Sequence, residues 1–498
     1  MSQPAELLTS PASRPADAAR VARLEFWALA AIVAAAAFLR FREAADTPLW
    51  FDEIFTLWVS RLGPAGILGV LAQDLHPPLH FLLEWLWRGL GGEGDLWIKS
   101  LSILFGLLTI PVLWGFTREL FGRRAALLAA LLLALHPVHL AFSHEARAYG
   151  LMWLLVTLAT WMAWRWIERG RVRDGLAFVL SATAALYSLY WAVAPLAFLG
   201  LWGLVALRRR PRWLAGWIAL HLAVAVLFVP QFVTLLHQAH RYQGEHWLRL
   251  ATPRDLLDWA RHLTFGGLWL VAPLFALAAL PLFRARERRG ARILWFAGFA
   301  PVAMVWVVSA TRVPLFTERY MDFVVPAWCA LLAAGITGLR WAAARWLAAA
   351  VVVLLDARAA VLHRPLPEAA QLQRAAEFLR AHARPDDLVF FGDTHGLFFF
   401  RHHVPWFRRQ RLVLEGPRLP YYAAPELVPP ELRVRPEAVR RAQAAGERWW
   451  AVSVRHAGRE KRTAPALFDS CAVGRPLATP MVTVWAGQET PPASAAVK

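Results

Sequence analysis

Long apolar segments recur along this chain and constrain its fold more than any other feature. Runs of about the length needed to cross a bilayer as a helix are separated by short polar connections. We place eleven of them, at about residues 24–41, 97–117, 125–142, 150–167, 175–190, 191–207, 213–233, 268–283, 292–310, 321–339 and 341–355. This pattern predicts a polytopic α-helical membrane protein with about eleven transmembrane helices.

Arginine clusters occupy alternate connections between these segments. The chain carries a formal net charge of +19 although only 18% of its residues are charged. A nucleic-acid-binding protein would collect such charge on one face beside a recognisable motif, and no such motif occurs. Short basic clusters between apolar runs follow the positive-inside pattern instead. They assign to the cytoplasm Arg118/Arg123/Arg124, Arg169/Arg171/Arg173, Arg208/Arg209/Arg210/Arg212, the stretch 284–292, and Arg340/Arg345.

The remaining connections then lie on the extracytoplasmic side, provided that the apolar stretch 77–91 does not cross the bilayer. This stretch is short for a span and begins with Pro77-Pro78. His80, Glu84 and Arg88 follow at helical spacing and form a polar stripe on one side of it. We therefore expect a helix that lies along the membrane surface.

Three polar segments emerge on this same face. They are Asp52-Glu53, His76-Pro77-Pro78-Leu79 and Ser143-His144-Glu145-Ala146-Arg147-Ala148-Tyr149. Each has an ordinary interpretation, because Asp52 can simply cap a helix and Glu145 can pair with Arg147 to anchor one. Their convergence on one membrane face nevertheless predicts a functional site.

The two ends of the chain differ from its apolar middle. Residues 1–23 are polar and are expected to form a disordered cytoplasmic tail, followed by a transmembrane domain at 24–356 with an extracytoplasmic loop at 42–96. Residues 365–498 are expected to form a small mixed α/β extracytoplasmic domain. It would contain a helix at 368–382, strands at 387–391, 448–454 and 481–485, and an extended Pro-rich loop at 417–436.

The motifs resemble those of a known family. Leu49-Trp50-Phe51-Asp52-Glu53, the HPPL and SHEARAY segments, and Glu318-Arg319-Tyr320 before an apolar helix with Pro326 occur in this order. The set resembles the GT-C membrane glycosyltransferases, in particular the bacterial branch related to protein O-mannosyltransferases and the lipid A aminoarabinose transferase. The resemblance covers roughly residues 25–340. The C-terminal domain carries no motif that we can assign.

The resemblance implies a hexosyl- or pentosyltransferase that takes a sugar from a polyprenyl-phosphate carrier. The acceptor would be a glycan, lipid or protein outside the cytoplasm of a bacterium, with the enzyme in the inner membrane. By its match to the family's first acidic loop, Asp52 would be the catalytic base. Glu53 would be its electrostatic neighbour or bind the sugar, Glu145 would be a second catalytic acidic residue, and Arg319 would hold the lipid phosphate.

Further residues of the same face are candidates for substrate binding. They are His76, His80, Glu84, His144, Arg147, Tyr149, Tyr190 and Tyr320. Tyr190 has an equally ordinary interpretation as an interfacial aromatic, and Glu318 and Arg319 can mark the interface. No cofactor is firmly implied. His136 and His139 lie near each other in sequence, but without a firm carboxylate partner they do not support a metal site.

A different class of function is also compatible with the sequence. A non-enzymatic lipid or glycolipid carrier, or flippase, would need polar groups along a path through the bilayer. Here the charges gather at one face, which favours the transferase.

Overall fold

The computed structural model describes residues 15–241, 249–362, 367–414, 424–454 and 463–488, together with Gly416 and Leu419. Up to residue 362 the described chain is helical: α1 Pro15–Asp46, α2 Phe51–Ser60, α3 Gly63–Leu71, α4 Leu79–Gly91, α5 Asp95–Phe121, α6 Arg123–Leu135, α7 Pro137–Ser143, α8 Tyr149–Arg169, α9 Val172–Ser188, α10 Val193–Leu207, α11 Pro211–Arg241, α12 Pro253–Leu263, α13 Leu268–Ala279, α14 Arg288–Leu294, α15 Ala300–Thr311, α16 Glu318–Met321, α17 Val325–Thr337 and α18 Ala342–Leu362.

Every apolar run expected to cross the membrane contains a helix, and the chain is a multi-pass membrane protein. Six described helical segments are long and apolar enough to span, or eight if each of two bent pairs counts as one span. The bent pairs are α6–α7, broken by 57° at Pro137, and α12–α13, broken by 72°. Proline disfavours a helical residue before it, which explains the first break. The expected count of eleven spans therefore stays a prediction.

The first helix begins earlier than expected. It starts at Pro15, so residues 15–23 are helical rather than part of a disordered tail. Apolar and small residues continue through this stretch, and Glu25 is buried at the N-terminal end of the expected span. Residues 1–14 lie outside the described residues.

Helices α2, α3 and α4 form a compact group at one end of the bundle. Helix α4 has 13 residues and so is about 20 Å long, less than the roughly 30 Å of a bilayer core. Glu93, just after α4, accepts hydrogen bonds from Arg61 at 2.6 Å and from Arg88 at 2.8 Å, which ties the ends of α2 and α4 together. These lengths and contacts agree with a helix that stays on one side of the membrane.

The prediction of a polar surface stripe on α4 is wrong for two of its three residues. His80 and Glu84 are 1% and 0% exposed, because this side of α4 packs against α2 and α5 rather than facing water. Only Arg88 of the three lies near the surface.

The C-terminal part contains helices α19 Pro367–His382, α20 Thr394–His403, α21 Glu437–Ala444 and α22 Thr463–Cys471. Its strands are β1 Leu388–Phe391, β2 Arg409–Val413, β3 Arg433–Val434, β4 Trp449–Val454, β5 Gly474–Ala478 and β6 Val482–Ala486. They form one mixed sheet in the order β3-β2-β1-β4-β6-β5, parallel from β3 to β4 and antiparallel at β6 and β5.

The helix and the three strands expected here are present, while the short strand β3 and the strands β2 and β5 were not predicted. β2 alternates arginines with other residues and β5 is a proline-containing edge strand, so neither has a continuous apolar pattern. The expected loop at 417–436 is only partly described; its described part holds short 3₁₀ turns at Pro425–Leu427 and Pro430–Leu432 and the strand β3.

Helix α20 joins the two parts of the molecule. Phe398 of α20 packs on Phe51 and Trp58 of α2, with ring centroids 5.0 and 4.5 Å apart. The same hydrophobic cluster contains residues of α2, α19, α20 and the sheet. The start of α2, which carries the acidic pair, is therefore held between the bundle and the C-terminal sheet.

Candidate active site

Glu53 fixes the geometry of the first acidic segment. One of its carboxylate oxygens accepts from the backbone N–H of Trp50 at 3.1 Å, which closes the first turn of α2. The other accepts from the backbone N–H of Ala146 at 2.8 Å, which holds the segment between α7 and α8 against α2. Glu53 is 2% exposed and both of its oxygens accept backbone hydrogen bonds, so this side chain holds α2 against the segment before α8.

Arg319 stands at the centre of the charged cluster. Its guanidinium lies 3.5 Å from Oδ2 of Asp52 and 3.5 Å from Oε2 of Glu145. Three aromatic rings surround it, with the guanidinium carbon 5.3, 5.7 and 5.5 Å from the ring centres of Trp50, Phe142 and Tyr149. Such an enclosure stabilises a cation through the ring faces and restricts its motion.

Arg147 supplies a second cation beside the first. Its Nη1 donates to the backbone carbonyl of Asp52 at 3.2 Å and to Oγ1 of Thr56 at 3.3 Å. Its Nη2 lies 2.6 Å from Nε2 of His76, whose Nδ1 is 2.6 Å from Oδ1 of Asp74. The linked contacts of Asp74, His76 and Arg147 thus connect the HPPL segment to the loop before α8.

Asp52 and Glu145 differ in their protonation. Burial by itself raises the pKa of Asp52, but the charges of Arg147 and Arg319, with smaller contributions from two histidines, hold that pKa below its ordinary value. Burial raises the pKa of Glu145 to about 8, against the lowering effect of Arg319. The arrangement therefore places an ionised carboxylate and a protonated carboxyl on either side of one guanidinium. Two such groups with separated pKa values are suited to different roles in one reaction.

The structure brings most of the sequence-predicted residues together. Asp52, Glu145, Arg147, His76, Arg319 and Tyr149 form the cluster, with Tyr320 alongside, stacked on Trp191 at 5.0 Å. His144 is buried and lies 3.6 Å from Glu43, so it ties the loop to α1. The hydroxyl of Tyr190 is engaged by Gln231 at 2.6 Å and by Gln238 at 3.0 Å, so it braces α11.

His80 and Glu84 do not belong to the accessible cluster. Burial lowers the pKa of His80 to about 3, so its imidazole is neutral near pH 7, and burial raises the pKa of Glu84 well above its ordinary value. Their expected role in substrate binding is not supported by this placement, because neither has an accessible side chain.

Sequence reasoning missed several residues of the site. Asp74 lies two positions before His76, just outside the HPPL segment, and contacts its ring at 2.6 Å. Trp50 and Phe142 form the enclosure of Arg319, a role that an aromatic residue near a boundary does not reveal. His395 comes from α20; its ring stacks on Phe51 with centroids 4.1 Å apart, and its Nδ1 lies 2.6 Å from Glu368. No sequence signal links His395 to a motif more than three hundred residues earlier.

One group of described residues has the composition and spacing to hold a metal ion. Asp95, at the start of α5, lies 3.0 Å from Nε2 of His402 and 3.7 Å from Nδ1 of His403, both in α20. Their ligand atoms all lie within 4.8 Å of one another. The group links α5 to the C-terminal part and is separate from the Arg319 cluster. His136 and His139 are instead engaged with the carbonyl of Leu263 and with Arg40.

Comparisons with known proteins agree with this architecture. Residues 75–235 match the family model described as dolichyl-phosphate-mannose-protein mannosyltransferase. The matched range contains the HPPL and SHEARAY segments but neither Asp52 nor Arg319. No curated protein matches the chain.

Solved structures match over most of the chain. ArnT from Cupriavidus metallidurans in the apo state has a TM-score of 0.64 at 16% identity, covering 92% of this chain and 97% of that chain. The same protein bound to undecaprenyl phosphate has a TM-score of 0.59 at 17% identity, covering 93% and 98%. The oligosaccharyltransferase AglB from Archaeoglobus fulgidus, in complex with an inhibitory peptide and a dolichol-phosphate, has a TM-score of 0.51 at 12% identity, covering 89% and 71%.

These matches confirm the resemblance inferred from the motifs. The chain has the fold of the GT-C membrane glycosyltransferases, with the sequence match to the protein mannosyltransferase family confined to residues 75–235.

Proposed function

We propose that this protein transfers a hexosyl or pentosyl group from a polyprenyl-phosphate carrier to an acceptor on the extracytoplasmic face of the bacterial inner membrane. The acceptor is a glycan, lipid or protein. The observation that carries this proposal is the position of Arg319, a guanidinium enclosed by aromatic rings and placed between one ionised and one protonated carboxyl group.

Arg319 is suited to hold the phosphate of the donor. Its two ion pairs are 3.5 Å long, beyond the roughly 2.7–2.9 Å of a charge-assisted hydrogen bond, so its N–H groups are available to a better-placed anion. Arg147, whose guanidinium donates to the backbone carbonyl of Asp52, is a second cation beside it. A structural relative, ArnT from Cupriavidus metallidurans, has been solved with undecaprenyl phosphate, which supports a ligand of this chemistry.

Asp52 serves as the general base in the proposed reaction. As the acceptor oxygen attacks the anomeric carbon, its proton passes to the carboxylate of Asp52. The bond from the anomeric carbon to the phosphate oxygen breaks, and the polyprenyl phosphate departs with the electron pair. The lowered pKa of Asp52 keeps this carboxylate ionised near neutral pH.

Glu145 serves as a hydrogen-bond donor to the departing phosphate. With a pKa of about 8 it carries its proton near neutral pH and does not repel the developing negative charge. Arg319 then remains the cation that receives most of that charge. His76 contacts Arg147, the ring of Tyr149 lies beside Arg319, and Tyr320 is the residue next to Arg319; we assign all three to substrate binding.

The proposal is tested with purified protein in lipid nanodiscs and a panel of undecaprenyl-phosphate sugars. Mass spectrometry measures the released undecaprenyl phosphate, and envelope glycolipids and glycoproteins of a deletion strain identify the acceptor. We expect Asp52→Asn to lower transfer by about 100-fold or more, because general-base catalysis contributes that much. Size-exclusion and thermal-unfolding profiles should match those of the parent protein.

Near-normal turnover in Asp52→Asn would remove Asp52 from the mechanism. If no panel member is consumed, and the envelope of the deletion strain is unchanged, the protein is not a transferase of this class. A carrier or flippase would instead move labelled glycolipid between leaflets without cleaving it.

A further inference from the structure

A charged cavity lies at the end of the bundle opposite the Arg319 cluster. It has a volume of about 380 Å³ and is lined by Trp114, Arg118, Glu119 and Arg123 at the α5–α6 junction and by Trp161 of α8. Helix α5 begins at Asp95 near the candidate active site and has 27 residues, so its other end is about 40 Å away. The cavity is therefore separate from the proposed catalytic centre.

The lining carries more positive than negative charge. Glu25 of α1, which is 6% exposed, pairs with Arg118 at 2.9 Å and with Arg123 at 3.5 Å. Glu119 also lines the cavity, and its carboxylate pairs with Arg165 at 3.5 Å and with Arg169 at 3.2 Å. Glu25 and Glu119 thus face four guanidinium groups, so positive charge is in excess here. Arg118 and Arg123 are partly exposed, at 39% and 49% of their side chains, so they remain accessible to an anion.

Aromatic rings shape the cavity walls. Arg118 lies over the ring of Trp114 at 5.4 Å, and Arg165 lies over the ring of Trp161 at 5.5 Å. Gly115 lies between these two pairs, and a Cβ there would be only 2.6 Å from the ring of Trp161. The absent side chain lets Trp161 approach α5 closely. Tryptophan rings are typical of the region where lipid headgroups meet acyl chains.

We propose that this cavity binds the phosphate headgroup of an anionic membrane lipid in the leaflet opposite the proposed active site. Two accessible guanidinium groups supply directional donors to phosphate oxygens, and the tryptophan rings contact the glycerol and the first acyl carbons. Basic pockets between helices on the arginine-rich side of a membrane protein are suited to such headgroups. The site is independent of the transfer reaction and does not require the donor sugar.

The test uses the full-length protein in native mass spectrometry with added phosphatidylglycerol, phosphatidylcholine or undecaprenyl monophosphate. We expect phosphatidylglycerol to be retained in preference to phosphatidylcholine. Arg123→Gln should weaken this retention by about tenfold, because a charge-assisted hydrogen bond is lost. Glu25→Gln should strengthen it severalfold, because the competing carboxylate is neutralised.

Arg289→Gln is the matched control. Arg289 is also 49% exposed, pairs with Glu168 at 2.7 Å and lies over the ring of Trp164 at 5.6 Å, but it is outside the cavity lining. Its substitution should leave retention unchanged. Thermal unfolding of each variant without added lipid separates a change in binding from a change in folding.

Comparing phosphatidylglycerol with undecaprenyl monophosphate identifies which lipid supplies the phosphate that the cavity binds. Stronger displacement of phosphatidylglycerol by undecaprenyl monophosphate than by unlabelled phosphatidylglycerol would assign the site to the carrier lipid. The proposal is overturned if Arg123→Gln and Arg289→Gln behave alike, if Glu25→Gln weakens retention in a folded protein, or if phosphatidylcholine is retained equally.

Discussion

At the scale of single residues, Arg319 shows why the type of cation matters. A guanidinium can donate two parallel hydrogen bonds to a phosphate and lie flat against aromatic rings, whereas an ammonium group is a compact charge without this geometry. The rings of Trp50, Phe142 and Tyr149 are arranged around the planar group. The site is therefore built for arginine rather than for any positive charge.

We expect Arg319→Ala to lower turnover by about 100-fold or more and to weaken donor binding, because a preorganised donor to the leaving group is lost. Arg319→Lys should recover only part of the loss. The measurement is the transfer rate against donor concentration for the three proteins. If Arg319→Ala matches the parent across that range, the residue is an interfacial anchor, and Arg147 becomes the candidate for the phosphate.

Glu145 gives a prediction about pH. A carboxyl with a pKa of about 8 carries its proton below that pH and ionises above it, so its donor role is lost as pH rises. Activity should therefore fall as pH rises through about 8. Glu145→Gln, whose amide donates at every pH, should keep part of the activity and lose this alkaline decline. A decline of unchanged midpoint in Glu145→Gln would assign the titration to another group.

At the scale of elements, the site depends on links between segments that are far apart in sequence. Glu53 connects α2 to the loop before α8, and Asp95 connects α5 to α20 through His402 and His403. His395 reaches the start of α2 from α20, stacked on Phe51. The C-terminal part is thus a wall of the site rather than a separate appendage.

The role of Glu53 is tested by comparing two substitutions of the same kind. Glu53→Gln should destabilise the protein by about 1–3 kcal/mol, because one buried backbone N–H loses its acceptor. It should also reduce turnover, since the loop that carries Glu145 and Arg147 is no longer held.

Glu93→Gln serves as the control, because Glu93 is 38% exposed and its ion pairs with Arg61 and Arg88 lie at the surface. This change should cost less than about 1 kcal/mol. Thermal unfolding in detergent measures both variants, and equal midpoints would show that Glu53 does not hold the loop.

At the scale of the whole molecule, the placement of every loop depends on α4 not crossing the membrane. Leu62 directly precedes α3 and Leu90 lies in the last turn of α4; they are 47% and 77% exposed. In a protein lacking the two buried native cysteines, Leu62→Cys and Leu90→Cys should both react with an impermeant thiol reagent added from outside. Arg209→Cys, at the arginine-rich end, should react only after permeabilisation. If Leu90→Cys is labelled only after permeabilisation, α4 crosses the membrane, and the predicted membrane side of every later loop is reversed.

The sequence by itself determined the helical membrane class, the segments that carry the chemistry and the presence of a C-terminal sheet. These properties follow from local patterns: the cost of placing polar groups in hydrocarbon sets the apolar runs, and alternation of buried residues marks the strands. The resemblance of four motifs to the GT-C enzymes could also be recognised from the sequence, because each motif is a short continuous segment.

Only the tertiary structure decided which of these residues meet. Asp52, Glu145 and Arg319 come from three separate segments, and His395 from a fourth. Adjacent Asp52 and Glu53 look equivalent in sequence, yet one faces two cations while the other is occupied by backbone N–H groups. The sequence pattern predicts that His80 and Glu84 belong to a surface stripe, but both are buried in the structure. The physical reason is that a side chain's protonation and accessibility depend on neighbours brought by packing, which lie far from it along the chain.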